Sequence, residues 1–395
     1  MTKLDHCFAR LLTRLGAGRR HLRPLGPSAG GRTQVGSRNL INFSSNDYLG
    51  LARHPALAAR ASEWAERWGT GAGASRLVTG NLDLFAAIEE KIARAKGTEA
   101  ALVLGSGFLL NGTVLAALFE RDAVGSEPLV FSDRLNHASI HHGCRAAGVR
   151  QIRYRHNDVN HLEHLLGRHA GDEAARFIIT ESVFGMDGDR ADLARLVELS
   201  DRHGAFLYVD EAHATGVLGP RGFGLSSAFP GRVDLVMGTF SKALGGYGAY
   251  LACSKTLRDY LVNKCTGLIY STALPPPVLG AIDAALDLVP GLEDERRALH
   301  GNADRLRDAL KAAGFDCGAS TTQIVPVILG ADEAVLAASR ALEEEGMLTI
   351  AIRPPTVPRG TSRIRFALSA QHSAVDIDRL AAALPRLVSP RRDVA

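Results

Sequence analysis

Lysine is scarce in this chain of 395 residues: seven of the 46 Lys+Arg, at positions 3, 91, 96, 242, 255, 264 and 311, against 39 arginines. Cysteine is scarce too. The five cysteines, at 7, 144, 253, 265 and 317, are odd in number and form no CxxC pair. That pattern argues for a reducing, cytoplasmic setting and against a disulfide framework or zinc ribbon. No uninterrupted apolar stretch reaches the ~18 residues of a membrane span, so no membrane partner is expected. A net charge of +4 is too small to argue for nucleic acid and is compatible with an anionic small molecule. No Gly-Lys dipeptide occurs anywhere. A phosphate loop ending in Gly-Lys-Ser/Thr is therefore excluded. With it goes a nucleotide-hydrolase reading of Asp210-Glu211-Ala212-His213, a tetrapeptide that also occurs in helicases.

The length suggests two domains, one of them large. Short apolar runs at Ala100–Leu104, Leu129–Ser132, Arg176–Thr180, Ala205–Val209, Leu235–Gly238 and Ala249–Cys253 read as strands. Helical stretches at Asn111–Phe119, Asn160–Arg168 and Leu193–Arg202 alternate with them. This alternation implies a mostly parallel sheet covered on both faces, whose ligands bind at the carboxyl ends of the strands. After Leu274-Pro275-Pro276-Pro277 the pattern becomes that of a smaller α+β unit: strands at Ile324–Leu329, Thr349–Ile352 and Arg363–Ser369, helices at Glu333–Glu345 and Asp376–Leu387. The N-terminus carries Leu4, Phe8, Leu11, Leu12 and Leu15 among arginines. It reads as a helix packed on the body or on a partner subunit, with a transit peptide as the alternative.

Six of the seven lysines sit among charged or polar neighbours and read as solvated. Lys242 alone follows an apolar run, Val233–Met237, and enters the turn Ser241-Lys242-Ala243-Leu244-Gly245-Gly246. An amine that must shed its proton and act as a nucleophile has to be lysine. Asp210 ends the strong strand Leu207–Val209, and His213 follows three residues later. Gly105-Ser106-Gly107-Phe108-Leu109-Leu110-Asn111-Gly112 follows a strand and opens a helix. Its third glycine is displaced from the dinucleotide spacing, which argues against a nicotinamide oxidoreductase. It is either a phosphate cradle at a helix N-terminus or a plain tight turn. His137 and His141 are four apart, but Ala138 stands where a zincin needs glutamate, so no metal is expected. His137 is better read as a ring-stacking or acid/base residue. A nucleophilic lysine, a carboxylate, a histidine and a phosphate cradle together are what pyridoxal 5′-phosphate asks of a protein.

These residues carry a resemblance. Asn42-Phe43-Ser44-Ser45-Asn46-Asp47-Tyr48-Leu49-Gly50-Leu51, Asn136-His137-Ala138-Ser139, Met186-Asp187-Gly188-Asp189, Val209-Asp210-Glu211-Ala212-His213, Thr239-Phe240-Ser241-Lys242 and Tyr270-Ser271-Thr272-Ala273-Leu274-Pro275-Pro276 make the chain resemble the α-oxoamine synthases. These are pyridoxal phosphate enzymes of fold type I. The resemblance implies an α/β fold: a large domain with a mostly parallel seven-stranded sheet, and a smaller α+β C-terminal domain. The boundaries expected are an arm over 1–45, the large domain over 46–285 and the small one over 286–395. It implies a homodimer with the site at its interface.

It also implies roles by position. Lys242 would hold the cofactor and move the substrate Cα proton. Asp210 would pair with the pyridine nitrogen, His213 would bond the ring oxygen, and His137 would stack on the ring. Gly107 and Phe108 would contact the phosphate, with Thr239 and Ser241 nearby, and Ser271 and Thr272 would reach a phosphate across the dimer interface. Arg20, Asn46, Thr356 and Arg365, again with His137, would contact substrate. Within the family, Ala351-Ile352-Arg353-Pro354-Pro355-Thr356-Val357-Pro358 points to condensation of L-alanine with a pimeloyl thioester, on coenzyme A or a carrier protein, in biotin synthesis. The alternative is a member that uses glycine or serine with another acyl thioester. One position departs: Gly185 stands where the family usually carries serine. That removes a hydroxyl near the cofactor and leaves more of the ring-oxygen contact to His213.

Overall fold

A strand buried along its whole length can face water on neither side and must lie inside a sheet covered by helices. Ala100–Leu104, Leu235–Thr239 and Ala249–Cys253 bury all five of their residues. In the computed structural model, which describes residues 2–15 and 19–389, these three lie side by side.

Near the N-terminus β1 (Ser28–Ala29), β2 (Arg32–Val35) and β3 (Arg38–Asn42) form an antiparallel meander. The large sheet comprises β4 (Ala100–Leu104), β5 (Leu129–Asp133), β6 (Gln151–Tyr154), β7 (Arg176–Glu181), β8 (Ala205–Asp210), β9 (Leu235–Thr239) and β10 (Ala249–Cys253). Its order is β4-β10-β9-β8-β7-β5-β6. β9 through β6 run parallel; β10 is antiparallel to both of its neighbours. The sheet is thus α/β, mostly parallel and seven-stranded, as expected. The seventh strand, β6, escaped the sequence reading because it is an edge strand that buries only Tyr154 fully.

The C-terminal strands are β11 (Ile324–Gly330), β12 (Met347–Leu348), β13 (Ala351–Ile352) and β14 (Ser362–Ala367). The single strand expected at Thr349–Ile352 is divided. β12 pairs in parallel with β3, while β13 joins β14 and β11 in a separate antiparallel sheet. Two pairing partners on different sheets leave Thr349 and Ile350 as the link between them. β14 buries all six of its residues, and its two-residue period sends Arg363 and Arg365 to the same face.

Three further expectations change. The helix expected from Asn111 begins at Gly107, because Ser106 caps it: its Oγ accepts from the Leu109 amide at 3.3 Å. Lys96 is not solvated. It is 3% exposed, at the end of the helix Leu84–Lys96, where its ammonium meets the Glu211 carboxylate and the Phe223 carbonyl. The N-terminal helix, Asp5–Leu15, buries none of its residues, so it does not pack on the body.

Candidate active site

Parallel pairing aligns strand ends. Glu181 of β7 stands opposite Asp210 of β8, and Asp210 opposite Met237 of β9, so two carboxylates and the turn after β9 converge at one edge. The turn carrying Lys242 is held by Gly245, whose φ of 65° is left-handed and whose Cα lies against the Leu51–Ala52 backbone with no room for a side chain. Lys242 Nζ lies 2.9 Å from His213 Nε2. Burial lowers its pKa to about 8, against the opposing pull of Asp210 and Glu181. That makes the amine a far better nucleophile at neutral pH than a solvated lysine.

Asp210 is fixed from both sides. One oxygen accepts from the Ala212 amide at 2.9 Å, the other from Asn111 Nδ2 at 2.9 Å. Asn111 is itself held by the Tyr208 hydroxyl at 2.5 Å and by Ser139 Oγ at 2.9 Å. His137 caps the helix Ala138–Ala146; its Nδ1 lies 2.7 Å from Ser139 Oγ and its backbone N–H donates to Glu181 at 2.6 Å. Burial pushes the His137 pKa down. Burial, reinforced by the neighbouring Asp210 charge, holds Glu181 well above the usual carboxylate range.

On the other side His213 Nδ1 lies 2.7 Å from the Tyr48 hydroxyl. Arg365 Nη2 donates to Tyr48 at 3.2 Å and to Asn46 Oδ1 at 3.1 Å, and its Nε donates to the Gly185 carbonyl at 2.5 Å. Its neighbour on the strand face, Arg363, pairs with Asp187 of the same loop. Burial, then the charges of Lys242, Arg365 and His137, keep the His213 pKa well below 6.5. Asn46 and Arg365 are thereby brought to the site through Tyr48 rather than through direct contact with Lys242.

A cavity of about 240 Å³ opens between these groups. Gly107, Phe108, His137, Asp210, His213, Thr239, Ser241 and Lys242 all line it. Thr239 Oγ1 and Ser241 Oγ are 2.7 Å apart. Ser271 and Thr272 do not line it; they border a separate crevice beside Gly105 and Arg76. Arg20 and Thr356 are both exposed, and Arg20 Nη2 lies 3.5 Å from Thr356 Oγ1. Asn111, Ser139 and Glu181 border the cavity and Tyr48 lies behind it, and none was singled out from sequence. Glu181 was the most findable, as the residue just past the apolar run Arg176–Thr180. A larger groove of about 550 Å³ lies at the other ends of the strands. Phe177, Phe206, Val233 and Leu257 line it, with Glu99 and Asp234 as its carboxylates, and it offers no comparable set of converging catalytic groups.

The cavity's chemistry fits pyridoxal phosphate. An amine of lowered pKa stands in it, a carboxylate is held for a ring nitrogen, and a capped helix N-terminus with two hydroxyls suits a phosphate. The sheet and this donor set define a pyridoxal phosphate-dependent enzyme of fold type I. The chain belongs to the class I and II aminotransferase family, which it matches over residues 38–384. The 8-amino-7-oxononanoate synthase of Gluconacetobacter diazotrophicus is 59% identical over 97% of both chains. A Bordetella pertussis protein that carries the same name provisionally is 62% identical, again over 97% of both. A solved serine palmitoyltransferase of Sphingomonas wittichii superposes with a TM-score of 0.88 at 28% identity, covering 98% of this chain and 97% of its own. The resemblance read from the motifs is borne out.

Proposed function

We propose that this enzyme condenses L-alanine with a pimeloyl thioester, giving 8-amino-7-oxononanoate, CO₂ and the free thiol, as a step of biotin synthesis. The observation that carries the proposal is the desolvated Lys242 amine placed among Asp210, His213 and His137, in a chain 59% identical to a relative named for that product. When bound, pyridoxal phosphate supplies an electron sink for a bond broken at the amino-acid Cα.

The protein's own groups do the rest. Lys242, its pKa lowered to about 8 by burial, removes the Cα proton of alanine in its neutral amine form; a positioned base of this kind is typically worth roughly 10²–10⁴ in rate. Asp210, immobilised by Asn111 and Ala212, would hold a protonated ring nitrogen in place. His137 would cover one face of the cofactor ring and His213 would donate to its oxygen. Gly107, Phe108, Thr239 and Ser241 would receive the phosphate. Arg365 and Asn46 hold the alanine carboxylate, which keeps the breaking bond aligned. Arg20 and Thr356 meet the acyl chain. The alanine carbon attacks the thioester carbonyl, the thiol leaves, the β-keto acid loses its carboxylate as CO₂, and a proton returns to the same carbon to give the aminoketone. Two copies of the chain would complete each site, with Ser271 and Thr272 facing the cavity of the other copy.

The test is the mass of the product. Purified enzyme with alanine and pimeloyl-CoA is expected to release 8-amino-7-oxononanoate. Glycine or serine turning over in place of alanine would overturn the substrate assignment.

A further inference from the structure

One buried hydroxyl beside the cavity has no part in that chemistry. Tyr48 is fully buried, and its oxygen touches His213 Nδ1, while the other ring nitrogen faces Lys242. The two nitrogens of a neutral imidazole are linked: one donates and the other accepts, so whatever fixes Nδ1 also fixes Nε2. Burial keeps this ring neutral. Tyr48 has one proton and two acceptors in reach, His213 Nδ1 at 2.7 Å and Asn46 Oδ1 at 3.1 Å. Asn46 Oδ1 already accepts from Arg365, a permanent cation that also donates to the Tyr48 oxygen. A phenol polarised by a guanidinium is the stronger donor, and the shorter contact is to the nitrogen.

The ring's place is made by a second residue. A Cβ at Gly185 would lie 2.5 Å from His213 Nε2 and 3.0 Å from its Cδ2. The Gly185 backbone is not left-handed, so a side chain there, such as the serine the family usually carries, is opposed only by the ring and would require it to shift. The His213 backbone is held as well: Gln323 Nε2 donates to its carbonyl at 2.9 Å.

We propose that Tyr48 is a positioning residue that fixes His213 as the tautomer protonated at Nε2, in a space kept open by Gly185, so that the ring presents an N–H to the cavity whenever Lys242 is a neutral amine or is bound to the cofactor. The proposal rests on the reading of this cavity as the catalytic site. The charged and titratable groups facing His213 are Tyr48, Arg365, Lys242 and His137. Tyr48 acts through His213 and not on substrate.

The test uses holoenzyme labelled with [¹⁵N]histidine, the His213 ring signals being assigned by their loss in His213→Gln. The wild-type ring is expected to be protonated at Nε2. Tyr48→Phe is expected to shift it toward the Nδ1-protonated form and to move the pH midpoint of the visible cofactor absorbance. It should lower kcat roughly ten-fold, about the worth of one hydrogen bond, with a much smaller change in KM for alanine. Gly185→Ala, which keeps Tyr48 but displaces the ring, should reproduce the absorbance change. A wild-type ring protonated at Nδ1 overturns the proposal. So does a Tyr48→Phe enzyme with unchanged ring signals and absorbance curve. If Tyr48→Phe fails to fold, the wild-type tautomer and Gly185→Ala decide. Holoenzyme that keeps its tautomer yet makes no 8-amino-7-oxononanoate sinks the assigned reaction and leaves this inference standing.

Discussion

Two lysines are enclosed by this protein, and their surroundings make them opposites. Lys96 sits in solid packing against Glu211, with the Phe223 carbonyl as a further acceptor and the Tyr250 ring 5.5 Å away. Lys242 stands at a cavity with a neutral histidine as its hydrogen-bond partner. Burial works against the charge of both. At Lys96 that penalty is outweighed by Glu211, and the pKa is raised. At Lys242 the carboxylates Asp210 and Glu181 offset it only in part, and the pKa falls to about 8. Desolvation alone therefore does not make a nucleophile. Direct contact with a carboxylate, present at Lys96 and replaced by a histidine at Lys242, decides whether a buried amine becomes structural or reactive.

The largest effect that separates the two is on chemistry. Lys242→Ala is expected to lower turnover by more than roughly 10⁴ and to abolish the visible cofactor absorbance, while the melting temperature of the cofactor-free protein stays nearly unchanged. A purified Lys242→Ala protein with undiminished turnover would show that Lys242 is no more a catalyst than Lys96.

The next effect is on stability and belongs to the other lysine. Glu211 is tied to more than Lys96: its two oxygens also accept from the Ser226 amide at 2.9 Å and the Ser226 hydroxyl at 2.6 Å. Lys96→Met leaves that carboxylate buried without its cation, at a cost of about 3–5 kcal/mol. Chemical denaturation should read this loss. The double variant Lys96→Met/Glu211→Gln should recover part of it, since no lone charge is left. If Lys96→Met instead cost turnover at full stability, the division between structural and reactive amines would fail.

The sequence showed one half of this comparison and hid the other. Lys242 was legible because an apolar strand ran into it and a glycine-rich turn followed. The strand ends bearing Asp210 and His213 were legible for the same reason. Lys96 lies in Ala93-Arg94-Ala95-Lys96-Gly97, beside another cation and a helix-ending glycine, a context that reads as solvent. Its burial comes from Glu211, 115 positions away, which no local pattern discloses. Tyr48 and Asn111 were hidden likewise, since they reach the site through partners brought together only by the fold. The strand β6 was missed for the converse reason: an edge strand buries too little to leave an apolar run.

The smallest effect concerns the sign of the field at Lys242. A neutral amine captures aldehydes and an ammonium does not, so capture should track the deprotonated fraction. In cofactor-free protein, borohydride trapping of a small aldehyde at Lys242 should rise about ten-fold per pH unit at low pH and level off above about 8. Lys96, its charge held by Glu211, should remain unlabelled across that range and serves as the internal control. Asp210 opposes proton loss from Lys242, because an anion stabilises the neighbouring ammonium. Asp210→Asn should therefore move the midpoint below 8 and speed capture at pH 7 a few-fold, even though the same substitution slows Cα deprotonation in the loaded enzyme. Peptide mapping of the trapped adduct at several pH values reads both lysines at once. A midpoint that stays put in Asp210→Asn would mean that Asp210 does not act on the Lys242 charge, and that Glu181 and burial set its pKa without it.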